Sequence, residues 1–190
     1  MPLQERERYF RARKKTGYLP VFDYRINFLW SLTWYRFYFP VSGKFSDRQK
    51  AVYNAVLNVK NEATKMLIPG TNWKQYHVEV GKIMTSELLG LGLITKADVQ
   101  TENPEWPAYK KYFMHGTSHH MGLDTHDYGL LHEPMQANMV FTVEPGIYIP
   151  KEGFGIRLED DMVIQEKGEA FNLMRNIPIE IEEIEVIMNS

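Results

Sequence analysis

The residues from Met114 to Asp127, Met-His-Gly-Thr-Ser-His-His-Met-Gly-Leu-Asp-Thr-His-Asp, gather four of the chain's six histidines. A single histidine in such a stretch is usually a core or surface residue. Four of them, His115, His119, His120 and His126, beside small residues and the carboxylates of Asp124 and Asp127, favour metal binding or proton transfer near neutral pH. Two later segments extend the set: Thr142-Val143-Glu144-Pro145-Gly146 and Gly155-Ile156-Arg157-Leu158-Glu159-Asp160-Asp161 each put a carboxylate into an otherwise apolar stretch. Buried there alone a carboxylate is costly, so it must be paired, protonated or bound to a cation. An ion pair with Arg157 is the structural alternative for Glu159. Residues two apart on a strand share a face, and the same geometry lets Arg157 orient that carboxylate as a partner standing behind a metal ligand. The chain has no cysteine, so disulfides and thiolate ligands are excluded and any metal is held by oxygen and imidazole nitrogen. Asp124, Asp127, Asp160 and Asp161 read as hydrogen-bonding support around the site, and His77 and His132 as surface or loop residues.

The elements that must position these groups are legible in part. From Ser46, a plausible N-cap, Val52, Ala55, Val56, Val59, Ala63, Met66 and Leu67 recur at helical spacing until Pro69-Gly70 stops them. A second helix is expected from near Thr71 through Val78, Ile83 and Leu88 to Gly90 and Gly92, serving the core. After the loop from Pro104 to Pro107 the character changes. Met139–Val143, Gly146–Ile149 and Gly155–Ile164 are β-branched or aromatic and bounded by Pro and Gly, which predicts strands. The alternation of Ile and Glu from Ile179 to Met188 suits a strand or a short helix equally.

In this order and spacing, the three chemistry-bearing segments resemble the His, Glu and Glu motifs of the pita-bread metallopeptidases. Within that family, His-Gly-x-Ser-His-x-x-Gly-Leu-Asp-x-His-Asp and the ending Asn172-Leu173-Met174-Arg175-Asn176-Ile177-Pro178 are most similar to the aminopeptidase P branch. The likeness runs from about Pro40 to the C-terminus. It implies an α+β pita-bread fold, incomplete at its N-terminal side, with residues 21–190 a partial catalytic domain and residues 1–20 a basic segment matched to no part of the family. It further implies that His119, Glu144 and Glu159 are metal ligands, with Glu159 bridging two ions, and that His115 and His126 line the substrate site as catalytic residues. His126 would meet the substrate near the scissile bond, where a side chain able to donate a proton is useful. The implied reaction is removal of an N-terminal residue ahead of proline, with a water activated between two metal ions attacking the carbonyl. Manganese suits an oxygen-rich set with one imidazole, and cobalt or zinc are substitutes. The implied partner is a peptide with proline second, and prolidase action on dipeptides is the nearest enzymatic competitor.

The resemblance breaks in one place. The family draws two further ligands from an earlier hairpin, and counting back from Phe39-Pro40-Val41-Ser42-Gly43-Lys44-Phe45 places the first on Asp23 and the second on Trp34, which cannot ligate a metal. Between Asp23 and Asp47 there is no Asp or Glu. Loss of that bridging group is expected to impair the enzyme. The alternative reading is a catalytically silent peptidase fold that binds peptides or proteins. One hypothesis for the break is a reading-frame error: Ser31-Leu32-Thr33-Trp34 encoded TCT-CTG-ACA-TGG yields Ser-Asp-Met when read two bases later. Codons that cannot yield those residues would end it.

Composition limits the rest. At 44% hydrophobic and 24% charged residues, the 190-residue chain has the make-up of a globular protein with one sizeable core. No apolar run approaches the roughly 20 residues of a membrane span, and the start is charged where a signal peptide would be apolar, so a cytoplasmic protein with no membrane role is expected. The basic run from Arg6 to Lys15 is interrupted by Glu7 and reads as a solvated face, with nucleic acid an unfavoured partner. Only about twenty residues precede Asp23, so the chain looks truncated. Self-association or a partner chain is then expected to cover the exposed sheet edges and apolar surface.

Overall fold

A computed structural model describes residue 40 and residues 42–124 and 126–190 in full, and residues 21–28 and 31–38 as backbone strands. The latter are β1, Val21–Phe28, and β2, Ser31–Tyr38, an antiparallel pair in which Asp23 lies opposite Arg36 and Trp34 opposite Arg25. The side chains of both strands, and with them the expectation for Asp23 and the consequence of Trp34, lie outside the described residues.

Helix α1, Asp47–Lys65, begins where the sequence places it. Ser46 accepts a hydrogen bond from the Gln49 backbone, and the Gln49 side chain returns one to the Ser46 N–H, closing a capping box that satisfies two otherwise orphaned donors. Asp47 in the first turn and Lys65 in the last complement the helix dipole. Helix α2, Trp73–Gly90, is capped by Asn72, whose side chain accepts from the backbone of Lys74 and Gln75. Its buried stripe is Tyr76, Val80, Met84 and Leu88, while Val78 faces outward, so the helix is rotated from the face the sequence suggested. The two helices pack on each other, and a short helix, α3 (Lys96–Gln100), and a 3-10 turn at Ala108–Lys111 follow.

The remaining strands form one interrupted hairpin. β3, Val140–Val143, and β4, Gly146–Ile149, make its outgoing arm, and β5, Phe154–Arg157, and β6, Asp160–Val163, its return. β3 pairs with β6 and β4 with β5, both antiparallel, and the register is the same on either side of the gap. Glu144-Pro145 therefore stands opposite Leu158-Glu159, and Gly155–Ile164 is two strands where the sequence suggested one. Proline has no N–H to give the ladder, and the Leu158 N–H to Pro145 carbonyl bond of 3.3 Å is what holds the arms together there. The short strand β7, Phe171–Asn172, extends the β3–β6 sheet. Ile181–Met188 resolves as a helix, α4, with Ile181 and Ile184 buried.

Strand alternation gives this hairpin two faces of different character. One carries Phe141, Val143, Ile147, Ile149, Ile156, Leu158 and Met162, all buried against a core that includes Val52, Val56 and Val59 of α1. Asp160 shares that apolar face and is matched by Lys60, a buried lysine of α1, and by the Asn172 side chain at 2.8 Å. The other face carries Thr142, Glu144, Tyr148, Arg157, Glu159 and Asp161.

Candidate metal centre

Glu144 and Glu159 meet because the hairpin break sets them opposite one another, and His119 reaches them because its own segment runs along β3. His120 bridges antiparallel to Phe141, the Thr142 N–H donates to the His119 carbonyl at 3.1 Å, and the Glu144 N–H donates to the Thr117 carbonyl at 2.7 Å. The Thr142 hydroxyl accepts from the His119 N–H at 3.1 Å. Among the described residues, one ligand atom from each of His119, Glu144 and Glu159 can be chosen so that all three lie within 4.8 Å of one another. Both carboxylates are nearly enclosed, at 9% and 6% exposure.

The protonation of His119 follows from its partners. Its Nδ1 lies 2.9 Å from the His120 carbonyl, which can only accept, so Nδ1 carries the proton. Burial holds the ring below the usual histidine range; the bond to His120 opposes this, and His126 and His120 add to it. The imidazole is therefore neutral at pH 7, and its Nε2 lone pair faces Glu144 Oε1 at 3.5 Å. A lone pair of His119 and an oxygen of Glu144 thus approach each other, an arrangement that a cation between them would stabilise. The residues present fit a divalent ion: one imidazole nitrogen with its tautomer fixed, and two enclosed carboxylates.

Arg157 stands beside both acids, 3.4 Å from Glu144 and 3.8 Å from Glu159, on the face that even strand spacing assigns it. His126 is exposed and sets its ring edge-to-face with that of His119, centroids 4.5 Å apart. The loop that carries it is shaped by Asp127, whose carboxylate accepts from the N–H groups of Leu123 and Tyr128. A Cβ at Gly122 would lie 1.8 Å from that carboxylate, so the turn requires glycine. His115 is held at both nitrogens: Nδ1 donates to the Gly116 carbonyl at 2.8 Å, which leaves Nε2 to accept from the Tyr148 hydroxyl at 2.7 Å. Tyr148 was not singled out in the sequence, although it lies four residues after Glu144, a spacing that places both on one strand face.

The supporting residues divide. Asp127 makes hydrogen bonds in the loop beside the site, Asp160 makes its own on the opposite, apolar face, and Asp161, fully buried, makes none through its side chain among the described residues. His132 is exposed in a loop, but His77 is half-buried on α2, edge-on to Trp73 at 5.0 Å, and belongs to an aromatic cluster with Tyr76.

The family model described as metallopeptidase family M24 matches residues 30–166. The Xaa-Pro aminopeptidase of Haemophilus influenzae is 41% identical over 163 residues, covering 80% of this chain and 37% of that protein. The Xaa-Pro aminopeptidase of Escherichia coli is 40% identical over 162 residues, covering 79% of this chain and 36% of that protein. A solved structure of zinc-substituted Escherichia coli aminopeptidase P in complex with product superimposes with a TM-score of 0.75 at 36% identity, over 84% of this chain and 38% of that one. The chain thus spans little more than a third of the relatives it matches, and its mixed helix-and-strand architecture is the pita-bread fold of those structural neighbours.

Proposed function

The chain belongs to metallopeptidase family M24, and from that membership and the donor set we propose that it is a metal-dependent aminopeptidase acting on peptides with proline in second position. The observation that carries this reading is the neutral His119 Nε2 turned on the Glu144 carboxylate at 3.5 Å, with Glu159 opposite. His119, Glu144 and Glu159 would hold the ion, with Asp23 of β1 a further ligand. Manganese is the metal of choice for one imidazole among carboxylates, with cobalt or zinc as substitutes. When bound, such an ion supplies Lewis acidity toward a water and a peptide carbonyl at near-neutral pH.

The chain's own residues do the rest. Arg157 offsets the negative charge of the two acids and fixes their direction. His126, exposed beside His119, is placed to meet a substrate and pass a proton to the departing proline nitrogen. His115 and Tyr148 brace one another, so that a change in either alters the wall of the site. The cysteine-free sequence supports a cytoplasmic setting. An apolar surface at Leu123, Tyr128, Leu130 and Leu131, next to His126, supports association with a second copy or a partner chain.

The test is elemental analysis of the purified chain after incubation with manganese and removal of the excess, followed by assay on a tripeptide Xaa-Pro-Xaa and a dipeptide Xaa-Pro. Bound manganese with tripeptide cleavage is the expected result. Cleavage of the dipeptide alone would reassign the chain to prolidase chemistry, and metal-free protein that cleaves neither would remove the reading.

A further inference from the structure

His120 is the histidine of the cluster whose ring the metal centre leaves without a task. Its carbonyl accepts twice, from His119 Nδ1 at 2.9 Å and from the Asp127 N–H at 3.2 Å. One oxygen thus fixes the tautomer of the ligand and closes the loop, Met121 to Asp127, that presents His126. The ring makes a separate set of contacts. It lies nearly parallel to the indole of Trp73, the first residue of α2, with centroids 6.0 Å apart, and against the buried ring of Phe141 on β3 at 4.4 Å. Gly129, three residues after His126, comes so close to the same ring that a Cβ there would stand 2.0 Å from its Cδ2 and Nε2. No carbon atom is accommodated at that distance, so this close approach requires glycine.

We infer that His120 is a positioning residue for His126: its ring is the seat on which Gly129 closes the loop, and this contact sets how near His126 stands to His119. The two sides of the contact are unequally anchored. The loop exposes Leu123, Tyr128, Leu130 and Leu131 and has little core of its own, whereas the His120 ring packs on residues of α2 and β3. A methyl group added at Gly129 must displace one side or the other. Moving the ring disturbs its packing on Trp73 and Phe141, while moving the loop disturbs mainly solvated groups, so the loop gives way and His126 goes with it. The ring of His126 meets that of His119 with centroids 4.5 Å apart, and a shift of about 1 Å in a reacting group can cost about a hundredfold in rate. The inference rests on the aminopeptidase reading for what His126 does, and on geometry alone for what holds it.

The competing account gives the ring no role and leaves the loop to the hydrogen bonds of Asp127. Nuclear Overhauser effects in the full, isotope-labelled chain separate the two in chelator, because they need neither metal nor turnover. The unsubstituted chain should show one effect between the ring protons of His119 and His126, and another between the α-protons of Gly129 and the His120 ring. Gly129→Ala should abolish the first. His120→Phe, which keeps a flat ring, should preserve it, and His120→Ala should weaken it. Gly129→Ala and His120→Ala combined should do no more than Gly129→Ala alone, since both break one contact. The two His120 variants carry the test if Gly129→Ala does not fold. In manganese, Gly129→Ala should lower kcat on an Xaa-Pro-Xaa tripeptide by at least about tenfold, with KM and manganese uptake within about twofold of the unsubstituted chain. A His119–His126 effect that is missing from the unsubstituted chain, or that survives Gly129→Ala and His120→Ala, overturns the inference. So does its loss together with roughly tenfold weaker manganese uptake, which would make the contact a support of His119. If the unsubstituted chain cleaves no such tripeptide, the aminopeptidase reading fails, and the Overhauser effects still decide whether His120 and Gly129 hold His126.

Discussion

Arg157 does for its two neighbouring acids the electrostatic work that a bound cation would do. Glu144 and Glu159 face each other across the hairpin break, nearly enclosed, and the Arg157 guanidinium is a positive group beside both. Removing one member of a buried charge set leaves the others uncompensated, which is why such losses are larger than the net value of the pair. Arg157→Met is therefore expected to destabilise the metal-free protein by roughly 3 kcal/mol in urea unfolding. Manganese should recover much of that loss, because the ion then supplies the charge the side chain no longer does. An equal deficit with and without manganese would mean that the two acids do not hold the ion. Those acids, and His119 with them, were legible in the sequence as residue types in a certain order. What the sequence could not give was partnership: Asp160 and Asp161 are adjacent and chemically identical, yet one has Lys60 and Asn172 and the other has no described partner.

The element that matters most is the hairpin, whose usefulness comes from its interruption. Pro145 could be read as a strand breaker, and Glu144 and Glu159 as carboxylates in apolar strands, but their facing one another depends on a register that only the paired backbone sets. Local signals did better: Ser46 announces the start of α1, and Gly146–Ile149 is a strand as the sequence suggested. The Ile and Glu alternation near the C-terminus could not decide between strand and helix, because short amphipathic segments satisfy both periods. Lys60 and Tyr148 were missed, the first because it sits in the apolar stripe of α1 where its partner is a hundred residues away. The segment carrying His119 is tied to the hairpin by Thr142, buried and bonded to the His119 N–H. Thr142→Val keeps the shape and removes that acceptor. A buried donor left unpaired costs about 1–3 kcal/mol, and a loosened ligand loses metal roughly tenfold. Both effects should appear together in unfolding and manganese titrations; a stability loss with unaltered manganese affinity would show that the His119 segment is positioned by its other contacts.

Across the whole molecule, burial presses several imidazoles in one direction, and this makes the fold sensitive to acid. His77 is held below the usual histidine range by burial and then by Lys110, His119 by burial foremost, and His120 by burial against the opposing pull of Asp127. A histidine whose folded pKa is depressed binds fewer protons folded than unfolded. Its contribution to stability is present above the unfolded value near 6.5 and is lost as pH falls through that value toward the folded one. Stability in chelator should then be flat above about pH 7.5 and decline below about pH 6.5, with a slope of about 1.4 kcal/mol per pH unit for each proton taken up on unfolding. His77 provides the clean test, since it packs edge-on to Trp73 and tilted against Tyr76 and is not one of the three clustered donors. His77→Phe keeps an aromatic ring there without a titrating group, so the decline between pH 7 and pH 5 should become shallower in chelator and in manganese alike. Manganese should steepen the decline in both proteins, because a ligating His119 must be neutral and acid then competes with the metal for its Nε2. A pH profile that is the same with and without the metal, in a chain shown to bind it, would mean that His119 is not among the ligands.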